Sequence, residues 1–205
     1  MPNSRLSRDA REDARLVREC REGDDGAFEA LVLKYQDQAF GVIYRMLGDR
    51  EEALDVGQET FIKAYQGLHG FDARMPFRAW LMRIATNASI DQLRRRNRRR
   101  EVKVDMGPGK PDPSAGPESP VLAFDPPGPP SDIPENISMS NETAAVVRNA
   151  LDGLPDNYKA VMVLHHMEGL SYSEIGTVLG VPRNTAKTWG HRARGLLCEA
   201  LEGVM

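Results

Sequence analysis

A proline-rich segment near the middle of the chain constrains the fold more than any other feature. Residues 107–135 hold ten of the 14 prolines in the 205-residue sequence. Proline lacks a backbone N–H and disrupts helices and sheets, so this composition favours an extended, flexible linker. We therefore expect two domains, residues 1–104 and 141–205, joined by an acidic linker over residues 105–140. The apolar island Val121–Phe124 is a candidate docking point within it.

Both flanking regions carry apolar residues at helical spacing. From Phe28 to Leu47 they recur at steps of three and four, which predicts a long core helix that ends at Gly48. Asp49, with Glu52 three residues later, predicts the cap of the next helix. The residues expected on the buried side of that helix are Ala53, Leu54, Phe61, Ile62, Ala64 and Tyr65. Aromatic residues make up only 6% of the chain and strand-like alternation is scarce. The sequence thus predicts an all-α protein.

Charge is segregated along the chain, although the net charge is only −3. Residues 1–76 hold 11 basic and 15 acidic residues, whereas residues 77–103 hold nine and two. Six arginines fall within Arg94–Arg100, and such a cluster is favourable beside a polyanion, where neutralised phosphates release counterions. This basic island therefore predicts a localised phosphate contact. Residues 9–21 are charged at nearly every step and predict an exposed helix.

A helix-turn-helix pattern lies between Gly169 and Leu197. Ser171 and Glu174 form a capping box, and Gly180 supplies a left-handed turn. Pro182 is tolerated in the first turn of the second helix. That helix carries the cations Arg183, Lys187, His191, Arg192 and Arg194. Such a hairpin suits the major groove of DNA; the alternative is an ordinary helical hairpin with a solvated charged face.

Other reactive side chains predict neither a metal site nor catalysis. Cys20 and Cys198 lie far apart without a zinc-ligand spacing, and we expect both to be reduced thiols. His165 and His166 are adjacent, so on a helix they point about 100° apart and cannot chelate one ion well. We expect no cofactor, no small-molecule substrate and no enzyme activity. No apolar run approaches a membrane span, and nothing in the N-terminal residues directs export, so a cytoplasmic protein is expected.

Three further features remain open on spacing alone. For Trp80, general burial tendencies favour an aromatic ring packed in the core over a surface ring that stacks on bases. Asn87 is either a helix-internal hydrogen bonder or a base reader. The outward side of the helix after Asp49 carries Asp55, Gln58, Glu59 and Lys63. Spacing alone favours a solvated face for these four residues over a functional one.

Three motifs together resemble the extracytoplasmic-function (ECF) group of bacterial sigma factors. They are DVGQETFIKAY at residues 55–65, FRAWLMRIATNASIDQLRRR at 77–96, and the segment from LPDNYKAVMVLHH to GHRAR at 154–194. The resemblance implies two helical domains, sigma regions two and four, in a non-catalytic subunit that directs core RNA polymerase to promoters. The alternative function is an autonomous helix-turn-helix repressor or activator, which requires only the hairpin.

The resemblance also implies roles for individual residues. Those that fall where the family docks on the polymerase clamp helices are Asp55, Gln58, Glu59, Phe61 and Lys63. Those that fall where it opens the minus-ten element, with the loop at 71–77, are Phe77, Arg78, Trp80, Arg83, Asn87, Asp91 and Arg94. Those expected on the minus-thirty-five element are Arg183, Thr185, Lys187, Thr188, His191 and Arg192.

The sequence departs from the family pattern within the recognition helix. Trp189 stands where an arginine is usual, and Gly190 inside the helix costs about 0.8–1.0 kcal/mol relative to alanine. These two positions leave open which minus-thirty-five sequence the helix recognises and how tightly it binds. The linker falls where the family runs through the polymerase toward the RNA exit channel. Family members are often held inactive by an anti-sigma protein, and no residue here specifies one.

Overall fold

The computed structural model describes residues 3–105 and 138–202, and in these ranges the chain forms helices and no strands. The predicted all-α fold, with two helical domains and a helix-turn-helix in the second, is confirmed. None of the described helices combines the length and the apolar character needed to cross a membrane. Residues 106–137, which hold most of the predicted linker and the Val121–Phe124 island, lie outside the described residues.

The first domain is built from four helices. They are α1 (Asn3–Arg21), α2 (Asp25–Leu47), α3 (Arg50–Gly67) and α4 (Phe77–Asp105), with a 3₁₀ turn at Leu68–Gly70. The predicted boundary between α2 and α3 is present. Gly48 adopts the left-handed conformation at φ 74°, and the Asp49 carboxylate accepts from the Glu52 N–H at 2.9 Å. α2, α3 and α4 pack around Ile43, Met46 and Leu81, all of which are fully buried.

α1 is docked on this core and is not the freely exposed helix that its charge predicts. Leu16, Val17 and Cys20 are buried against the rest of the domain. Asp13 is also buried, and it accepts from the Tyr35 hydroxyl at 2.6 Å. Burial and this carboxylate raise the pKa of Tyr35. Because Asp13 is satisfied by a residue 22 positions away, its burial could not be inferred from the local sequence.

The buried side of α3 is also rotated from the predicted one. Leu54, Ile62 and Tyr65 were expected in the core, but Tyr65 is 45% exposed and donates to Asp25 at 3.0 Å. Leu54 and Ile62 are half-buried. The core positions are instead the small residues between them, Val56, Gly57 and Thr60, which permit close packing, together with the predicted Ala53, Phe61 and Ala64.

The second domain contains α5 (Ser138–Asp152), α6 (Asp156–Met162), α7 (Tyr172–Leu179) and α8 (Arg183–Glu202). α6 continues into a wide π-helical turn at Val163–Met167. The core of the second domain is formed by Val161, Leu164, Ile175, Val178 and Ala186. The two domains pack against each other, because α7 lies along α4 and the π turn contacts α2. Their buried residues form one continuous cluster.

Candidate nucleic-acid interface

The turn between α7 and α8 has the predicted capping and a very close approach of the two helices. The Ser171 hydroxyl accepts from the Glu174 N–H at 3.3 Å, and the Glu174 carboxylate accepts from the Ser171 N–H at 2.8 Å. Gly180 adopts φ 68°. A Cβ atom on Gly176 would lie only 2.7 Å from the carbonyl oxygen of Val181. The absence of this side chain therefore sets how closely α8 sits against α7.

α8 has one buried and one exposed side. Ala186, Gly190 and Ala193 are buried against the rest of the second domain. The exposed members of the predicted minus-thirty-five set are Arg183, Lys187, Thr188, His191 and Arg192, whereas Thr185 is half-buried. Their spacing of four residues forms two adjacent rows on the outer side of the helix. The Thr188 hydroxyl donates to the Asn184 carbonyl at 2.9 Å, which leaves it a lone pair for a donor on a ligand.

Trp189 and Gly190, the two departures from the family pattern, are packing residues. Trp189 is half-buried, with its ring centroid 6.4 Å from that of Tyr158. A Cβ atom on Gly190 would lie 2.9 Å from the Tyr172 ring. Both positions therefore help to seat α8 on its own domain. The spacing of residues within α8 does not reveal this, because the partners lie on other helices.

α4 presents a straight polar row. Arg83, Asn87, Asp91 and Arg94 are exposed and follow each other at steps of four, four and three residues. An Asp91 carboxylate oxygen lies 3.8 Å from an Arg94 nitrogen, and both side chains are more than half exposed. The row runs along one side of the helix. The exposure of Asn87 favours the second of its two interpretations, a side chain free to meet a ligand.

The first turn of α4 is more enclosed. Phe77 is buried, and Trp80 is half-buried with its ring 4.9 Å from Phe71 and 5.6 Å from Phe77. Trp80 thus packs against the core as the sequence favoured, although part of its ring remains accessible. In the preceding loop, Arg74 donates to both carboxylate oxygens of Asp72 at 2.9 and 3.0 Å and holds the pKa of Asp72 below its usual range. This pair shapes the loop that leads into α4.

On α3, the set expected to meet polymerase divides by burial. Asp55 and Lys63 are exposed, and Gln58 and Glu59 are half-exposed. Lys63 Nζ lies 2.7 Å from Glu59 Oε1 within one helical turn. Phe61 is buried and supports this face from beneath. The accessible part is therefore a compact, mixed-charge patch.

Sequence reasoning missed a charged contact between the domains. The Glu168 side chain is 8% exposed, and it accepts from Gln38 Nε2 at 2.6 Å and from Arg45 Nη1 at 3.2 Å. Arg78, a predicted minus-ten residue, donates to the Glu168 carbonyl at 3.1 Å. No local sequence pattern could have identified this contact between the domains, because Glu168 is an isolated carboxylate 130 residues from Gln38.

The adjacent histidines take part in packing. His165 stacks on Tyr172, with ring centroids 4.4 Å apart, and its Nδ1 lies 2.7 Å from the Leu170 carbonyl. Burial, the neighbouring His165 and Arg194 lower the pKa of His166. Within residues 3–105 and 138–202, no cluster of three or more His, Cys, Asp or Glu side chains is arranged to hold a metal ion.

Comparison with known proteins decides the family. Residues 31–99 match Sigma-70 region 2, and residues 144–197 match Sigma-70 region 4. The ECF RNA polymerase sigma factor SigW of Bacillus subtilis is 34% identical over 92% of this chain and 96% of its own length. The RNA polymerase sigma-H factor of Pseudomonas aeruginosa is 36% identical over 95% and 96%. The chain belongs to the ECF sigma factors.

The two matched regions of this sigma factor correspond to the two helical domains. The region 2 match begins in α2 and ends in α4, and the region 4 match covers most of α5 and continues into α8. In fold, the chain resembles CnrH, solved in complex with the cytosolic domain of CnrY, at 24% identity and a TM-score of 0.62 over 94% of this chain and 98% of that one. RpoE of Bartonella quintana, solved with the anti-sigma factor NepR, gives a TM-score of 0.61 at 21% identity over 85% and 96%.

Proposed function

We propose that this ECF sigma factor binds core RNA polymerase and directs it to promoters through three separate surfaces. Sigma factors act in transcription initiation as non-catalytic subunits. The observation that carries the proposal is the pair of exposed polar rows, one on α4 and one on α8, in a chain that matches both sigma regions. We place its action in the cytoplasm.

The α8 surface is proposed to read the minus-thirty-five element in the major groove. A helix that follows a short turn can enter the groove with its N-terminal half, where Arg183, Lys187 and Thr188 are exposed. Arginine and lysine donate to guanine edges or phosphates. The Thr188 hydroxyl, whose proton is donated to Asn184, can accept from an amino group of a base. His191 and Arg192 continue the row for one further turn. Thr185 is half-buried and contributes at the edge of this surface.

The α4 surface is proposed to hold the minus-ten element. Arg83 and Arg94 supply cations, while Asn87 and Asp91 supply groups that can pair with base edges. The half-buried Trp80 can stack on an unpaired base with the part of its ring that remains accessible. Phe77 supports Trp80 from the core, and Arg78 lies half-buried in the first turn of α4.

The α3 patch is proposed to bind core polymerase. Asp55, Gln58, Glu59 and Lys63 are accessible together on one side of the helix, and Phe61 fixes that side onto the core. An anti-sigma partner is also proposed, because CnrH and the Bartonella quintana RpoE were both solved with a second protein, CnrY and the anti-sigma factor NepR respectively.

Reconstituted transcription tests the proposal. The full chain is added to bacterial core RNA polymerase with a library of promoter fragments, and the transcripts are sequenced. Transcripts that start at discrete sites only when both proteins are present would support a promoter-specificity subunit. Unchanged transcription across the library would refute it. Tight, sequence-specific duplex binding without polymerase would favour the alternative of an autonomous regulator.

A further inference from the structure

The last turn of α1 holds the segment that leads into the loop before α4. Arg21 lies in this turn and is half-buried. Its Nε donates to the Leu68 carbonyl at 3.0 Å, and its Nη2 donates to the Phe71 carbonyl. These acceptors lie 47 and 50 positions along the chain from the arginine. Because the guanidinium group is planar and rigid, one side chain fixes two points of the main chain.

The two carbonyls lie where the helical hydrogen bonding after α3 comes to an end. The 3₁₀ turn at Leu68–Gly70 follows α3 directly, and the Phe71 N–H donates to the Leu68 carbonyl at 3.2 Å. Phe71 itself is extended, with ψ 127°. Carbonyl groups at the end of a helix lack intrahelical donors and favour a nearby cation. Arg21 supplies both a donor and a positive charge there, from a different helix.

α1 is anchored to the domain independently of this arginine. The buried Asp13 accepts from the Tyr35 hydroxyl at 2.6 Å, and Leu16 and Val17 are buried in the core. These contacts hold the middle of α1 against α2. The helix is therefore a fixed support for Arg21, and removing the guanidinium group should leave α1 in place.

Phe71 connects this support to the proposed minus-ten surface. Its ring centroid lies 5.9 Å from that of Phe77 and 4.9 Å from that of Trp80. The chain then turns at once, because the Met75 N–H donates to the Asp72 carbonyl at 3.0 Å. The backbone of Phe71 is thus the origin of the exposed turn, and its side chain supports the aromatic rings at the start of α4.

We propose that Arg21 is a positioning residue for recognition of the minus-ten element, acting through the main chain at Phe71 and not by contact with DNA. It holds the loop at 71–77 in one conformation before DNA is bound. This inference rests on the proposed role of α4 and of this loop at the minus-ten element. A loop that is already ordered loses less conformational freedom on binding, so more of its contact energy is available to discriminate between sequences.

Hydrogen exchange of the full chain tests whether Arg21 orders the loop. Arg21→Met keeps a long stem but removes the guanidinium group. The hydrogen-bonded amides of Phe71, Arg74 and Met75 should then exchange about tenfold faster, while the core amides of α2 keep their rates. Arg18→Met removes the same charge from an exposed position of the same turn and should change neither. Unchanged exchange in the loop, or equal acceleration throughout the domain, would overturn the proposal.

Promoter choice tests the consequence for recognition. The native chain and each variant are combined with core RNA polymerase and a promoter library randomised at both elements, and the transcripts are sequenced. In Arg21→Met the preference among minus-ten sequences should fall about tenfold, the scale of one base contact, with the minus-thirty-five preference unchanged. Arg21→Lys keeps a cation that can bond one of the two carbonyls and should recover part of the preference. Arg18→Met should match the native chain.

The possible outcomes separate this role from a general defect. An intact minus-ten preference in Arg21→Met, despite faster exchange of the loop, would refute the role in recognition. Equal loss of preference at both elements would also refute it, as would an Arg21→Lys variant no better than Arg21→Met. If the native chain directs no transcription while Arg21→Met still loosens the loop, the proposed function fails and the ordering of the loop by Arg21 stands.

Discussion

Gly176 lies where the two helices of the recognition hairpin come closest, and a side chain added there should destabilise the second domain. In Gly176→Ala the new Cβ would meet the Val181 carbonyl at 2.7 Å, and a backbone atom cannot move aside as a flexible side chain can. We expect the second domain to lose about 1–3 kcal/mol of unfolding free energy. Thermal and urea unfolding of the full chain would measure it.

Gly195→Ala is the matched control for this prediction. It lies in α8 of the same domain, and a Cβ atom at this position would have no atom outside its own local helix within 4 Å. Alanine should therefore stabilise α8 by about 0.8–1.0 kcal/mol through helix propensity. Equal effects of the two substitutions would mean that the close approach at Gly176 does not determine the packing of the hairpin.

At the scale of single elements, α8 carries the prediction for the upstream promoter element. Lys187→Ala removes a central cation of the exposed row and should weaken binding to the minus-thirty-five element by about 1–3 kcal/mol. Binding of the polymerase complex to promoter duplexes of varied upstream sequence would measure it. Lys187→Arg retains the charge and serves as control. Full affinity and unchanged promoter choice in the alanine variant would argue against this face.

α3 carries the corresponding prediction for polymerase. Glu59→Ala removes a half-exposed carboxylate from the proposed patch and should lower the affinity for core polymerase about tenfold, which is about 1.4 kcal/mol. The loss of polymerase binding should be the same for every promoter. Its pair with Lys63 lies at the surface and contributes less than about 1 kcal/mol to the fold, so the helix should persist. Glu29→Ala, an exposed glutamate on α2, is the control. Retained affinity would exclude Glu59 from the interface.

Local patterns predicted the elements better than they predicted burial. The end of α2, the start of α3 and the capping of α7 follow from residues within four positions of each other, so the sequence contains them. The docking of α1 depends on Asp13 and Tyr35, which are 22 positions apart. The rotated face of α3 reflects the fit of small residues against other helices. Such long-range fit is absent from helical periodicity alone.

The site shows the same division. The α8 row and Arg83, Asn87 and Asp91 on α4 are exposed, while their roles in DNA binding stay predictions. The packing roles of Trp189 and Gly190 depend on Tyr158 and Tyr172, on other helices. The contact of Glu168 with Gln38 and Arg45 was missed for the same physical reason, because its partners belong to different domains.

At the scale of the whole molecule, Lys159 tests whether a buried charge helps to hold the two domains together. Lys159→Met keeps a long apolar stem but removes the ammonium that bonds Met46 and Asp152. Loss of a charged hydrogen bond costs about 1.5–3 kcal/mol. The ratio of separated to packed domains should therefore rise about tenfold or more. Energy transfer between dyes on Leu33→Cys and on the exposed Cys198, with buried Cys20 changed to serine, would measure it. Asn149→Ala, an exposed change on α5, should leave the ratio unaltered. An unchanged ratio in Lys159→Met would show that this lysine does not stabilise the contact between the domains.

The π turn that precedes Glu168 makes the packing of the two domains depend on the number of residues in that turn. The Glu168 N–H donates to the Val163 carbonyl at 3.3 Å, one residue farther back than in an α-helix. Deleting a single residue within Val163–Met167 would tighten this turn and rotate Glu168 by about 100° relative to α6. Gln38, Arg45 and Glu168 could all be retained while the contact between them was lost. Loss of one codon, with the reading frame preserved, could thus release the two domains without a single substitution.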